Sequence, residues 1–475
     1  MIDGKKDIVF IEPAGNDASV FEKFLRLPLT GCLYLGTILH NAGHRVRIYH
    51  EGIMPRPFDP FTERADVYCI TSLTVSANRA RLLASQIRHI YADAKIILGG
   101  IHASLAPEDF LDAADHVVRG EAEGLIVDLV EGKIKEKLVQ GSPVEDVNTL
   151  PLINYSLLQG HDTMRIIPVM TSRGCPFDCN FCTVTGVFGR QFRMQSAERV
   201  VAEVRNALTY FSIRSIFFYD DNFTANKERA HKICDMLVRE KVDIVWTSQV
   251  RADIARDPEL VEKMSQAGCR WYFIGFESIT DAALAAYHKS QTRADIEKSI
   301  RVIHNFGINI HGMFMFGEDN DTLESLRETA QFAIRHDIDT VQFMILTPFP
   351  GTRLFDKIVG ENRLYHKRWD YFDGMYAVFR PKNMSALTLQ NESIAAYRKF
   401  YSLRRLTLRA LELVILVTID ALTWNFKRVF RYGFNSMYIT AAGRFMVSRF
   451  GASQDTYRQF LNDIERQMQH KQPAL

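Results

Sequence analysis

The chain has little net charge of either sign: 58 Lys and Arg against 56 Asp and Glu leave a formal +2 over 475 residues. That excludes a general polyanion-binding surface, so any basic patch must be local, and nucleic acid is not an expected partner. Cysteine is scarce and odd in number, at seven, and only one tight group exists, which argues against a disulfide framework and for a reducing compartment. The N-terminus, MIDGKKDIVFIEP, lacks the apolar core and small-residue cleavage site of a secretory leader, so a cytoplasmic location is expected. The most apolar stretch, Leu406 to Trp424, is interrupted by Arg409, Glu412 and Asp420, which predicts a buried or interfacial helix rather than a spanning one.

What remains is an ordinary globular composition, 47% hydrophobic and 24% charged, long enough for two or three domains. In the first part, strands at Asp7–Ile11, Arg45–Tyr49, Val67–Ile70, Lys95–Leu98 and His116–Val118 alternate with helices near Leu33–Ala42, Ala77–Tyr91 and Glu123–Val130. This pattern predicts an α/β, doubly wound, Rossmann-like parallel sheet over residues 1–135. Such sheets bind ligands beyond the carboxyl ends of their strands, where Ser72, Leu73, Thr74, Gly99, Gly100, His102 and Glu121 fall. Periodicity fades from Glu131 to Asp162, so 136–164 reads as a connector.

From Arg165 six more strands, near 165–171, 215–219, 244–247, 271–276, 309–316 and 340–345, are separated by five helices. They fit a partial (β/α)6 barrel over 165–385, with its chemistry at the strand carboxyl ends. Residues 386–475 read as a helical C-terminal region. Between Ala421 and Gln454 there is no acidic residue, while Lys427, Arg428, Arg431, Arg444 and Arg449 interleave with Trp424, Phe426, Phe430, Tyr432, Phe434 and Tyr438. That pattern suits either a helical cap with a solvated basic face or peripheral contact with anionic headgroups.

Cys175-Pro-Phe-Asp-Cys179-Asn-Phe-Cys182 places three thiols in a loop after the first barrel strand. Three soft ligands can hold a metal or an iron–sulfur cluster with one vertex open to catalysis. A structural zinc would close with four ligands, and no second Cys or His pair follows. Cys32, Cys69, Cys234 and Cys269 read as small buried apolar residues.

C-x-x-x-C-x-x-C at the end of the first strand of a partial barrel resembles the signature of the radical S-adenosylmethionine enzymes. The resemblance implies that Cys175, Cys179 and Cys182 hold a [4Fe-4S] cluster and that S-adenosylmethionine binds its open iron, to be cleaved by one electron to a 5′-deoxyadenosyl radical. It assigns Phe181 to the adenine and Asp220, Asp221, Ser248, Arg251 and Glu277, at successive strand ends, to the rest of that cofactor. A flavodoxin- or ferredoxin-type reductant is implied as a partner.

The order sheet domain, Pro-bearing connector, barrel is similar to the cobalamin-binding subclass, through Leu33-Tyr34-Leu35-Gly36, Gly99-Gly100-Ile101-His102-Ala103 and Val118-Arg119-Gly120-Glu121. The resemblance covers residues 1–385 and implies cobalamin as a second cofactor, bound by the residues named above, with Leu73 under the corrin. The D-x-H-x-x-G motif that gives cobalt a histidine elsewhere is absent, as in many members of this subclass. Its members include C- and P-methyltransferases, and methylation of an unactivated carbon of a tetrapyrrole, isoprenoid or lipid-like substrate is the main expectation. The alternative is anaerobic Mg-protoporphyrin ester cyclase chemistry, whose branch Trp369-Asp370-Tyr371-Phe372-Asp373-Gly374-Met375 resembles. A methylthiotransferase would need more cysteines upstream than Cys32 and Cys69. A non-enzymatic binding protein would have no use for an open cluster vertex.

Overall fold

The computed structural model describes residues 4–15, 27–289, 291–423 and 435–471. They form two compact units: residues 1–272 with 348–362 and 367–373, and residues 273–347 with 363–366 and 374–475.

In the first unit, β1 (Asp7–Glu12), α1 (Thr30–Asn41), β2 (Arg45–His50), β3 (Val67–Thr71), α2 (Ala77–Ile90), β4 (Lys95–Gly99), α3 (Ile101–Leu105), β5 (His116–Arg119), α4 (Ile126–Val130) and β6 (Leu138–Gln140) build a parallel sheet in the order β2-β1-β3-β4-β5-β6. β1 is an interior strand and carries a continuous apolar run, as a strand covered on both faces must; Ile8, Val9 and Ile11 are fully buried. The strand order reverses between β1 and β3, which opens a crevice at their carboxyl ends. β6 falls inside the expected connector and pairs with β5 from Val117↔Leu138 to Arg119↔Gln140. Three residues with one buried side chain are too few to show alternation, so the sheet is one strand wider than the sequence pattern suggests.

The chain continues through β7 (Ile167–Val169), β8 (Ser172–Arg173), α5 (Val184–Phe188), β9 (Arg193–Met194), α6 (Ala197–Tyr210), β10 (Ser215–Phe218), α7 (Lys227–Arg239), β11 (Val245–Val250), α8 (Pro258–Gln266) and the start of β12 (Cys269–Glu277). β7, β10 and β11 are parallel neighbours, and β12 follows β11. Helix starts are fixed by side chains that accept orphan backbone N–H groups: Ser196 from Arg199, Asn226 from Arg229 and Asp257 from Leu260. β8 and β9 are an antiparallel pair of two residues each that the sequence pattern does not reveal.

In the second unit the rest of β12 leads through α9 (Asp281–Ala286) and α10 (Arg293–Asn305) to β13 (Asn309–Phe316), α11 (Leu323–Arg335) and β14 (Thr340–Ile345). β13 and β14 pair in parallel from His311↔Thr340 to Phe316↔Ile345. α12 (Arg353–Gly360) belongs with the first unit. α13 (Ala386–Phe400) packs on β14, where Tyr397 Oη accepts from Phe343 N at 3.0 Å and Ser393 Oγ donates to Phe343 O at 2.9 Å. α14 (Leu403–Thr423), α15 (Asn435–Ser453) and α16 (Asp455–Lys471) complete the expected helical C-terminal region. Trp424, Phe426, Lys427, Arg428, Phe430, Arg431, Tyr432 and Phe434, read as a headgroup-facing pattern, lie outside the described residues.

Candidate active site

The cluster loop leaves β8 at Arg173, turns through Gly174 at φ +80° and carries Cys175, Cys179 and Cys182, all half-buried. A Cβ on Gly174 would stand 2.3 Å from Gln191 O, so only glycine lets the loop pass there. Cys182 N donates to Cys179 O at 3.3 Å. Arg353 Nη2 binds both Asp178 O at 2.8 Å and Asp178 Oδ1 at 2.9 Å, and Leu354 N donates to Asn180 O at 3.1 Å, so the segment opening α12 clamps the loop from outside.

The donor set suits a thiophilic cluster. Burial raises the Cys175 thiol and pushes Cys182 up to about 12, with the Asp221 carboxylate and the neighbouring cysteines adding to the effect. The Phe177 and Val184 backbone amides oppose it. Thiols so disfavoured as free anions ionise when a metal takes their charge. Among the described residues no three Cys, His, Asp or Glu side chains converge tightly enough for a single metal ion. A four-iron cube spaces its cysteines more widely than one ion does.

Asp220 is fully buried and works on the backbone: its carboxylate accepts from Thr171 N at 2.6 Å, Ser172 N at 3.0 Å and Thr171 Oγ1 at 2.5 Å. It therefore fixes the kink between β7 and β8 that launches the cluster loop. Arg229 braces the same point, donating to Thr171 O at 2.9 Å and Gln195 O at 2.6 Å. Asp221 turns the other way, with its side chain exposed to the open cavity, and the surrounding protein together with the charge of Asp220 raises its carboxyl above the ordinary value. Ser248 Oγ, on β11, is buried without a hydrogen-bond partner among the described residues, and so is Arg251 Nε, whose guanidinium stands 3.9 Å over the Phe177 ring. Buried polar groups of this kind call for a partner, which a bound molecule can supply. Glu277 lies in the second unit at φ +61°, held by Lys289 Nζ at 2.9 Å. A Cβ on Gly275 would fall 2.3 Å from its carboxylate.

The cavity, about 310 Å³ in volume, lies at the carboxyl ends of β1, β3, β4 and β5. Gly99, Gly100 and Glu121 line it, while Ser72, Leu73, Thr74 and His102 do not. His102 is fully buried between Thr74 Oγ1 at 3.3 Å and Asp109 Oδ2 at 3.0 Å, and Trp369 Nε1 donates to that same carboxylate oxygen at 2.7 Å. Gly31 also lines the cavity, and a Cβ there would meet nothing within 4 Å. Gly31, Gly99 and Gly100 leave this edge of the cavity without side chains. The opposite wall is Thr183, Val184, Val187 and Phe188, directly after Cys182, together with Met170, Tyr219, Asp221 and Gln249.

Sequence reasoning named Glu121 but missed Arg173, Arg193 and Glu123, which with it tie the two walls. Arg173 and Arg193 face each other across β8 and β9, a repulsive pairing by itself. Glu121 lies between them, with Arg173 Nη1 at 2.6 Å and Arg193 Nη1 at 3.0 Å, and Glu123 takes Arg173 Nη2 at 2.5 Å. The signal was Arg173 two residues before Cys175, next to a glycine. Gly31 and α5 carried no signal, because neither breaks a periodic pattern.

Residues 169–333 match the model of the radical SAM superfamily, and residues 26–130 match that of the B12 binding domain. The uncharacterized methyltransferase PH0819 of Pyrococcus horikoshii is 30% identical over 371 residues, 73% of this chain and 80% of that protein. The bacteriochlorophyllide d C-8(2)-methyltransferase of Chlorobaculum tepidum is 29% identical over 376 residues, 74% of this chain and 82% of that one. In fold, the structure of the cobalamin-dependent S-adenosylmethionine radical enzyme OxsB, with aqua-cobalamin and S-adenosylmethionine bound, superposes with a TM-score of 0.66 at 15% identity, over 98% of this chain and 81% of that one. With the cysteine loop and the glycine-edged cavity already in place, these matches make the chain a member of the radical S-adenosylmethionine enzymes that carry a B12-binding domain, with a [4Fe-4S] cluster, S-adenosylmethionine and cobalamin as its cofactors.

Proposed function

We propose that this enzyme methylates an unactivated carbon of a hydrophobic substrate, of the tetrapyrrole, isoprenoid or lipid-like kind. The observation that carries this reading is the single cavity lined on one side by the strand ends of the B12-binding domain and on the other by the residues after Cys182. When bound, the cluster and S-adenosylmethionine supply a carbon radical and cobalamin supplies the methyl group. In this reading Cys175, Cys179 and Cys182 hold the cluster; Phe181, Asp221, Ser248 and Arg251 orient S-adenosylmethionine, and Asp220 acts behind them by fixing the loop. Gly31 and Gly99 let the corrin lie against backbone, Gly100 makes the turn after β4, and Glu121 secures the wall beside it. The apolar α5 side chains Val184, Val187 and Phe188 keep water from the reacting carbon. A flavodoxin- or ferredoxin-type protein delivers the electron, and the C-terminal region meets a membrane peripherally, where such substrates reside.

Cyclase chemistry is the second reading, favoured by the Trp369–Met375 segment. The two separate by label. With S-adenosylmethionine deuterated in its methyl group, the proposal expects that methyl in the product together with 5′-deoxyadenosine and S-adenosylhomocysteine. Oxygen from labelled water in the product, without the methyl, would replace it with the cyclase reading.

A further inference from the structure

α14 wears its amphipathicity inside out. Its protein-facing side is polar: Arg405 is buried, donates to Ile338 O at 2.6 Å and stacks over the Phe400 ring at 3.8 Å, and Arg409 pairs with Asp337 and, at 2.7 Å, with Glu412. Its aliphatic side faces outward, with Leu408 49%, Leu411 54%, Val414 62% and Ile415 59% exposed. Leu408, Leu411 and Ile415 stand at i, i+3 and i+7, so they form one stripe along a 21-residue helix. A contiguous apolar stripe of this size marks an interaction surface. The neighbouring α15 adds exposed Tyr438 and Phe445, the latter beneath the Arg449 guanidinium at 5.1 Å.

We propose that α14 lies flat on an anionic lipid surface, with the Leu408, Leu411, Val414 and Ile415 face at the headgroup–acyl boundary. Charge selects this occupant over a second copy of the chain. Residues 421–454 contain no Asp or Glu, and the described part offers exposed Arg444 and Arg449 beside the apolar side chains. Two copies docked through this region would oppose like charges, whereas phosphate headgroups neutralise them. No described helix is long and apolar enough to cross a membrane, and the ion pairs of Arg405 and Arg409 hold α14 to its unit, so the contact is along the surface. The inference rests on the peripheral contact proposed above and assigns it to one helix face.

The test is flotation of the intact, cluster-loaded protein with vesicles of phosphatidylcholine alone or with roughly a third phosphatidylglycerol, at low and high salt. Wild type is expected to float with the anionic vesicles, less at high salt, and L411D/I415D to bind about tenfold more weakly or worse. Both side chains are exposed, and unchanged iron content and circular dichroism establish that the variant is folded. Equal flotation of wild type and variant would overturn the assignment to α14 while leaving peripheral contact standing. No flotation of wild type would overturn both, and a dimer in sedimentation velocity that L411D/I415D dissolves would give the face to a second copy.

Discussion

Arg173 Nη1 lies 2.6 Å from Glu121 Oε2, and through this contact the strand that launches the cluster loop is fastened to the end of β5 in the B12-binding domain. Both side chains are 4% exposed, so the pair is desolvated, and its loss leaves the buried Arg193 guanidinium without a carboxylate and Arg173 with Glu123 alone. Glu121→Gln should cost about 3–5 kcal/mol in denaturant unfolding at pH 7. Burial alone would raise the Glu121 carboxyl, but Arg193 and Arg173 outweigh it and hold the carboxyl below its usual value of 4.5. A depressed carboxylate contributes stability above its unfolded pKa and loses it as pH falls through the folded one. The gap between wild type and Glu121→Gln should therefore narrow below about pH 4; a gap independent of pH would mean the carboxylate does not carry the pair.

Gly31 and Gly100 separate cofactor binding from folding. Gly100 sits at φ +94° with a Cβ position 2.4 Å from Thr71 Oγ1 and 2.7 Å from Ser72 N, so Gly100→Ala should destabilise by about 2 kcal/mol or more. Gly31 faces open space. Gly31→Leu should leave stability within about 1 kcal/mol of wild type yet strongly reduce cobalamin retained on gel filtration. Full retention would place the corrin away from α1.

Much of this could be read in the sequence, because the chemistry is local and the core is periodic. β13 and β14 have the bounds that their apolar runs suggest, and Cys175, Cys179 and Cys182 share one loop. The ligand wall was less legible. Ser72, Leu73, Thr74 and His102 stand at strand ends in the sequence, but strand-end position does not say which way a loop turns, and here His102 turns to Asp109 and Trp369 rather than to the cavity. Trp369 is 260 residues from Asp109, and no sequence period links them. α5 is five residues long, below what a helical pattern can announce. For α14 the sequence left a buried and an interfacial helix open, because an apolar stripe looks the same whichever way it faces.

Cysteine variants should sort by burial. Cys179→Ala should lose most of the iron and all 5′-deoxyadenosine formation with circular dichroism unchanged, since Cys179 is half-buried in a loop. Cys234 is fully buried on α7, and Cys234→Ser should instead lower stability by about 1–3 kcal/mol with iron retained. Retained iron in the Cys179 variant would contradict the cluster assignment.

Asp220→Asn keeps the shape but weakens the acceptor for Thr171 N, Ser172 N and Thr171 Oγ1. Each bond to an ionised acceptor is worth about 1.5–3 kcal/mol, so the β7–β8 kink should loosen. The expected result is lower cluster occupancy after anaerobic reconstitution, with Asp221→Asn retaining the cluster and raising the KM for S-adenosylmethionine. Equal occupancy and KM in both variants would mean the two neighbouring carboxylates are not divided as the geometry divides them.

The central claim is that one cavity serves the cluster loop and the B12-binding domain together. It is tested most directly by purifying the protein anaerobically with cobalamin supplied, quantifying iron, sulfide and cobalt, and incubating with reductant and S-adenosylmethionine. The account predicts one four-iron cluster and one cobalt per chain, and cobalt lost in Gly31→Leu while the iron remains. A wild-type protein that loads its cluster but takes up no cobalt would contradict it.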